Sequence, residues 1–330
     1  MRSWRRDRVV TLPPALQTGI EELVYGITPK ELERSARALS DAYRTGGSAA
    51  SRAAQTQGDV AAYLATRAPA TYAAASDVFA RIRELRPDWS PTSSLDLGAG
   101  PGVASWAAAD AWRQIEVVTL VEAEAEMACA GRMLARTGPE ALRTATWTVA
   151  DAGAPGNRAD LVIVSYVIGE LTSGATDELV RHAWERTTDT LVIIEPGTTA
   201  GYRRTLAARD AVIVAGGSTL APCPHDAPCP LPDEDWCHFS VRLPRSRTHR
   251  LAKDAELGFE DEKFSYAVLC REPHTRAAPR VLRRPDLRPG HVVLHLCTPS
   301  GLEQRTVSRK SGSAYKLAKK AAWGDTVTGD

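Results

Sequence analysis

The run Asp96-Leu97-Gly98-Ala99-Gly100-Pro101-Gly102 sets three glycines on alternate positions directly behind an acid. Glycine takes positive φ freely and has no Cβ, so such a loop can turn sharply and bring its backbone against a ligand. The residues after it, Val103–Trp112, read as a helix. The first N–H groups of that helix have no partner within it and can face the same ligand. Asp96 stands where a carboxylate meets an amino group of the ligand, directly or through water. Glu122 ends a second apolar run about 20 residues on, where an acid can hold both hydroxyls of a ribose. Asp151 follows a third run, near the expected edge of an adenine. Together these residues point to a ligand that carries a nucleoside.

A dinucleotide fold spaces its glycines G-x-G-x-x-G and uses the helix end for a pyrophosphate. The spacing here is G-x-G-x-G behind an acid, which resembles class I methyltransferases. The expected cofactor is S-adenosyl-L-methionine, bound by Asp96, Gly98, Gly100, Gly102, Glu122 and Asp151.

A second chemistry is written between Cys223 and His238. Cys223, Cys229 and Cys237 stand within 15 residues, two of them followed by proline. Thiolates suit zinc or an iron–sulfur cluster, and both normally take four ligands. Paired Cys-x2-Cys knuckles are absent; the Cys-Pro pairing favours iron–sulfur, while His225 and His238 leave a zinc site with three cysteines and one histidine open. The Cys-x3-Cys-x2-Cys spacing of radical S-adenosylmethionine enzymes does not occur. The fourth ligand is Cys270 or Cys297, with Cys270 at the end of an apolar strand reading as core. Cys129 lies in a helix and reads as a small hydrophobe.

These residues need a scaffold, and the texture of the chain supplies one. Residues from about Leu16 to Arg86 are Ala-rich with apolar residues at 3–4-residue spacing (Leu32, Ala36, Leu39), which predicts helices, with a break from Gly46 to Gln57. From Ser93 short apolar strands alternate with helices: Ser94–Leu97, Glu116–Val121, Thr144–Val149, Leu161–Ser165 and Leu191–Glu195. Leu161-Val-Ile-Val164 and Leu191-Val-Ile-Ile194 are apolar without alternation, as expected of strands covered on both faces. That order predicts a doubly wound α/β parallel sheet. Phe239–Leu243 and Phe264–Cys270 could close its edge. The expected division is a helical region at 1–90, a methyltransferase-like domain at 91–272 with a metal-binding insertion at about 218–240, and a basic, β-rich extension at 273–330.

Composition narrows the classes further. With 41 Lys and Arg against 40 Asp and Glu, the 330-residue chain carries a formal charge of only +1, so no global field selects nucleic acid. No apolar run approaches the ~20 residues needed to cross a bilayer. The basic start Met1–Arg8 is not followed by a signal-peptide core. The expectation is a cytoplasmic protein with no membrane partner.

Further motifs accompany these. They are Ala62-Tyr63-Leu64 with Arg67-Ala-Pro-Ala-Thr71-Tyr72, Ser165-Tyr-Val-Ile-Gly-Glu-Leu171, Ile194-Glu-Pro-Gly197, Trp236-Cys-His-Phe239, Phe264-Ser-Tyr266 and Ala321-Ala-Trp-Gly324. With the glycine loop and the cysteine region, they make most of the chain resemble the methyltransferase-like proteins of the bacterial and mitochondrial small ribosomal subunit. The cysteine region is the most specific part. The resemblance implies a 4Fe–4S cluster on Cys223, Cys229, Cys237 and Cys297, contact with small-subunit ribosomal RNA, and a part in small-subunit assembly. Bacterial members are commonly labelled ribosomal RNA methyltransferases, so active methylation of that RNA is the alternative.

The catalytic pattern is thinner than the cofactor pattern. Amino methyltransferases of adenine or cytosine usually show Asn/Asp-Pro-Pro-aromatic after the fourth strand, where this chain has Ser165-Tyr166-Val167-Ile168. A pyrimidine C5 methyltransferase needs a nucleophilic cysteine at the pocket, and Cys129 is on the wrong element. Glu170 and Glu195 lie near strand ends and read as capping or core groups before they read as bases. For RNA, the residues on offer are Arg242, Arg245, Arg247, Arg250, Lys253, Arg280, Arg283, Arg284, Arg288, Arg305, Arg309, Lys310, Lys316, Lys319 and Lys320, interrupted by an acidic stretch from Asp254 to Glu262.

Overall fold

The computed structural model describes residues 9–45, 56–253, 256–274 and 278–327. The basic start Met1–Arg8, most of the break expected from Gly46 to Gln57, and Asp254 of the acidic stretch lie outside them. Four helices lead the chain: α1 (Pro14–Val24), α2 (Pro29–Thr45), α3 (Gln57–Thr66) and α4 (Ala68–Leu85). Thr56 starts α3 with a reciprocal cap. Its hydroxyl accepts from the Asp59 N–H, and the Asp59 carboxylate accepts from the Thr56 N–H, each at 3.2 Å.

The first sheet then forms in the order predicted by alternation. Its elements are β1 (Ser93–Leu97), α5 (Val103–Ala111), β2 (Val117–Glu122), α6 (Ala125–Ala135), α7 (Glu140–Arg143), β3 (Thr146–Val149), β4 (Ala159–Ser165), α8 (Ser173–Arg186), β5 (Thr187–Pro196), α9 (Thr199–Val214), β6 (Ser218–Ala221), β7 (Phe239–Pro244), α10 (Arg247–Lys253) and β8 (Phe259–Cys270). The strand order is β3-β2-β1-β4-β5-β8-β6. β1 to β5 pair in parallel and β8 runs antiparallel between β5 and β6. This is the doubly wound α/β fold of class I methyltransferases.

The continuous apolar strands serve two cores at once. Leu161, Ile163, Val192 and Ile194 face the larger core under α1 and α3–α6, while Val162, Val164, Leu191 and Ile193 face the core under α8 and α9. Alternation survives in the direction of the side chains although both faces are covered, so polarity no longer reveals it. The alanines of α4 and α5 (Ala73–Ala75, Ala107–Ala109) are buried between these helices and the sheet, where small side chains let backbones approach.

β8 organises the edge. Its last residues pair with both β5 and β6, and its first half pairs with β7 through Phe239↔Phe264 to Pro244↔Phe259. β6 and β7 therefore share one edge of β8, and the cysteine-rich segment between them lies along that edge without helix or strand. The chain ends in a second, four-stranded antiparallel sheet: β9 (Arg280–Val281), β10 (Asp286–Arg288), β11 (His291–Thr298) and β12 (Gly301–Ser308), followed by α11 (Ser313–Lys320). Its small core holds Val281, Val292, Leu294, Leu296, Ala318 and Ala321. Among the described residues no helix is long and apolar enough to cross a membrane.

Candidate functional site

β1 and β4 are neighbours whose connections leave in opposite directions, and a crevice opens at the carboxyl ends of such strands. A cavity of about 740 Å³ fills it, lined by Gly98, Gly100, Glu122, Asp151 and, from the turn after β4, Ser165, Tyr166 and Glu170. Tyr63 of α3 covers the glycine loop. Gly98, Gly100 and Gly102 all take left-handed backbone, with φ of 70°, 55° and 74°. A Cβ on Gly98 would fall inside the Val167 side chain, and one on Gly102 would stand 2.9 Å from Leu120 Cδ2.

Backbone hydrogen bonds tie the loop to β2. Gly98 and Ala99 N–H donate to Val121 O, Gly100 N–H donates to Glu122 Oε2 at 2.6 Å, and Glu124 N–H donates to Glu122 Oε1 at 2.8 Å. Glu122 thus folds the loop as well as facing the cavity, and each of its oxygens keeps a second acceptor position. Burial raises its pKa. Asp151 lines the cavity and is exposed. Ser165 Oγ, buried on the same wall, has no hydrogen-bond partner among the described residues.

Asp96 and Gly102 do not reach the cavity wall. The Asp96 carboxylate is buried behind the loop and accepts from Ser105 Oγ of α5 at 2.8 Å. Burial, helped by the nearby Glu122 charge, pushes its pKa up to about 7. The folded value lies above the unfolded one, so the folded chain holds the extra proton in between. Stability contributed here therefore falls as pH rises from about 4 to about 7. Asp96→Asn is expected to remove this loss, raising stability at pH about 8 by up to roughly 4 kcal/mol and changing it little at pH about 4. Urea unfolding at both values measures the difference; an equal effect at both contradicts it.

Tyr166 is the one non-glycine residue with positive φ (60°) among the described residues. Its N–H donates to Ile194 O at 2.7 Å and its hydroxyl to Glu262 Oε1 at 2.8 Å. A chamber of about 110 Å³ lies beyond it, sharing Tyr63, Tyr166 and Glu170 with the larger cavity. Glu195, fully buried there, accepts from Ile168 N–H at 3.2 Å and from Arg204 Nε at 2.9 Å. It holds the turn after β4. Cys129 is exposed on α6 and does not line the cavity.

The cysteine site assembles from both sheets. Cys223, Cys229 and Cys237, from the segment between β6 and β7, line one chamber with Cys297 of β11. Tyr202 of α9 donates its hydroxyl to Cys229 Sγ at 3.1 Å, and Arg280 of β9 donates to Cys237 Sγ at 3.3 Å. His225 Nε2 stands 3.6 Å from Cys297 Sγ. His238 turns away and packs between Trp236 and Trp323. Burial raises the thiol pKa of Cys223, pushes Cys237 up to about 12 and Cys297 up to about 11.

Cys270 stands at the opposite end of the sheet. There it forms, with Asp189 and His274, the one group of three or more His, Cys, Asp or Glu among the described residues whose ligand atoms all lie within 4.8 Å of one another. Arg86 occupies that place, donating to both Asp189 oxygens and to Cys270 Sγ. The group works as an ion pair joining the end of α4 to β5, and no sequence signal marked it. No three of the other thiols meet the same spacing, whereas thiolates around one zinc stand only about 3.8 Å apart.

The basic residues divide into two sets. Arg242 pairs with Asp261, and Arg245 and Lys253 with Glu260, so the acidic half of β8 neutralises much of the first basic run. Arg280 is buried and Arg283 pairs with Asp235. Arg309, Lys310, Lys316, Lys319 and Lys320 are exposed on α11 and the turn before it, and none forms an ion pair among the described residues.

Comparison with known proteins follows the same outline. A family model described as mitochondrial small ribosomal subunit Rsm22 matches residues 57–328. The human protein named ribosome assembly protein METTL17, mitochondrial, is 31% identical over 292 residues, covering 82% of this chain and 63% of that protein. Rsm22-cox11 tandem protein 2, mitochondrial, of Schizosaccharomyces pombe is 26% identical over 325 residues, covering 82% of this chain and 43% of that protein. The chain thus spans less than two thirds of the length of either. Among solved structures, the magnesium protoporphyrin IX methyltransferase of Synechocystis covers 62% of this chain and 84% of its own, at 13% identity and a TM-score of 0.42.

Proposed function

This chain belongs to the mitochondrial small ribosomal subunit Rsm22 family, and from that premise we propose that it binds small-subunit ribosomal RNA and supports assembly of the small ribosomal subunit. S-adenosyl-L-methionine and a metal centre would be parts of its architecture. The observation that carries this reading is the exposed cationic face of Arg309, Lys310, Lys316, Lys319 and Lys320, which no acid among the described residues pairs. Clustered cations of this kind bind phosphate and release counterions, so the contact should weaken steeply with salt. The cytoplasmic assignment and the division at 90 and 272 belong to the same proposal; both named relatives are mitochondrial by name.

S-adenosyl-L-methionine fits the larger cavity. Gly98 and Gly100 supply a wall without Cβ atoms, Glu122 has acceptor positions that would take ribose hydroxyls, and Asp151 on the same wall would meet the adenine. Glu122→Ala is expected to weaken the cofactor about 10–100-fold, the loss of hydrogen bonds to a charged group. Isothermal titration with S-adenosylmethionine measures it, and an unchanged Kd would remove Glu122 from the site.

The donor set of the cysteine chamber suits a 4Fe–4S cluster: four thiols line it, and among the described residues no three of them stand within 4.8 Å of one another. Cys223, Cys229, Cys237 and Cys297 would hold it, and the cluster would supply a cross-link between the two sheets.

Active methylation of small-subunit RNA is the second reading, favoured by the glycine loop and Glu122 standing together at an open cavity. The two readings separate in a deletion strain. Assembly support predicts fewer small subunits with the ribosomal RNA methylation pattern unchanged, while a missing methyl group restored by the wild-type gene selects the enzyme. Normal subunit profiles would sink the assembly reading.

A further inference from the structure

Arg280 is a buried cation in search of a countercharge. The residue is 3% exposed and lines the cysteine chamber. One nitrogen contacts Cys237 Sγ at 3.3 Å, while Nε and the other terminal nitrogen have no hydrogen-bond partner among the described residues. The guanidinium carbon lies over the Phe239 ring, 4.8 Å from its centroid. No carboxylate among the described residues pairs with it. The second arginine of the chamber, Arg209, is differently placed. It already pairs with Asp210, and it donates to His225 O and Ala227 O, shaping the loop from Cys223 to Cys229.

A guanidinium does not shed its proton on burial, as a lysine would. It stays charged, and an unpaired buried charge is among the costliest features a fold can carry. The groups around Arg280 that can become anionic are the cysteines and the Tyr266 hydroxyl, and as free thiols and phenol these are neutral at physiological pH. Thiolates bound to a metal centre are not. Four thiolates around a 4Fe–4S core of charge +2, or around one Zn²⁺, leave a net charge of −2.

Resting on the cluster reading above, we propose that Arg280 is the built-in charge partner of a metal–thiolate centre held by Cys223, Cys229, Cys237 and Cys297. The backbone places it for this. Arg280 on β9 is the register partner of Cys297 on β11, so one strand pair delivers both a ligand and its counterion. The unpartnered nitrogens supply N–H donors to thiolate or sulfide sulfur. Arg280 thereby acts on the metal centre as a positioning residue, and its positive charge favours whichever state of the centre carries the extra electron.

The test compares wild type, Arg280→Met and Arg280→Lys, all purified without oxygen and loaded with iron and sulfide. The readouts are iron retained against a chelator and the midpoint potential followed by the visible absorption. Arg280→Met is expected to lose iron about 10–100-fold faster, as when an outer partner of a metal ligand is removed, and to titrate at a more negative potential. Arg280→Lys keeps the charge and should restore the potential in part, which also covers the case in which Arg280→Met fails to fold. Potential and iron retention equal to wild type in both variants would overturn the role of Arg280 while leaving the cluster standing. A wild-type protein that takes up no iron would overturn the cluster reading and this inference with it.

Discussion

Cys297→Ser is expected to strip the protein of its iron, from about four per chain to fewer than one, and to lower its melting temperature by roughly 4 °C. The size of the effect follows from where the ligands come from. Three thiols belong to a segment without helix or strand along the edge of the first sheet, and the fourth belongs to β11 of the second. Removing it deletes a ligand and unties the two sheets at one stroke, leaving Arg280 buried without a countercharge. A loss of about 3 kcal/mol, modest for a structural metal, gives that shift at about 1.4 °C per kcal/mol for a chain of this length. Cys270→Ser is the control. Cys270 contacts Arg86 and Thr190 at the far end of the sheet, so the variant should keep its iron and lose only packing. Iron retained in Cys297→Ser and lost in Cys270→Ser would reverse the assignment.

Gly98→Ala is the second large effect. An alanine there must hold a left-handed φ of 70° and place its Cβ inside Val167. The backbone costs about 1–2 kcal/mol and the overlap about 1–3 kcal/mol. Val167 cannot yield without moving the turn after β4, which lines the cavity. S-adenosylmethionine affinity should therefore fall more than about 10-fold together with stability. Gly98→Ala with Val167→Ala should recover the part due to overlap and leave the part due to φ. Gly153→Ala, on the same cavity with open space around its Cβ, should be nearly neutral. Equal losses at Gly98 and Gly153 would mean that the loop conformation is not what the cofactor needs. Urea unfolding and isothermal titration on the same samples separate the two quantities.

Much of this architecture was legible in the chain because its strands are short, apolar and regularly spaced. Leu161–Ser165 and Leu191–Glu195 announce a covered parallel sheet by apolarity alone, and the structure extends the first back to Ala159 and the second from Thr187 to Pro196. The first half of β8, Phe259–Lys263, escaped because three acids in five residues read as solvent; Asp261 pairs with Arg242 of β7, Glu260 with Arg245 and with Lys253 of α10, and Glu262 turns inward to the Tyr166 hydroxyl. β6 and β10, at 4 and 3 residues, are too short to show a period. The glycine loop and the cavity beside it were legible from spacing, yet not that Asp96 would turn inward to Ser105. The trio of cysteines was visible from spacing, and the resemblance singled out Cys297 over Cys270; the fold adds that Cys297 lines the same chamber as the trio while Cys270 sits beside Arg86 and Asp189. Basic residues were visible as a count, but pairing is a property of tertiary structure, and it withdraws Arg242, Arg245, Lys253 and Arg283 from free display. Arg280 is withdrawn by burial.

The account as a whole stands or falls on association with the small subunit. The direct measurement is gradient sedimentation of the tagged full chain from cells at low and high salt, with the ribosomal RNA in each fraction identified. The reading predicts co-migration with immature small subunits at low salt, loss of it at high salt, and loss at low salt when Lys316, Lys319 and Lys320 are changed to Glu. Migration of the folded wild-type protein only with free proteins, or equally with both subunits, would contradict it.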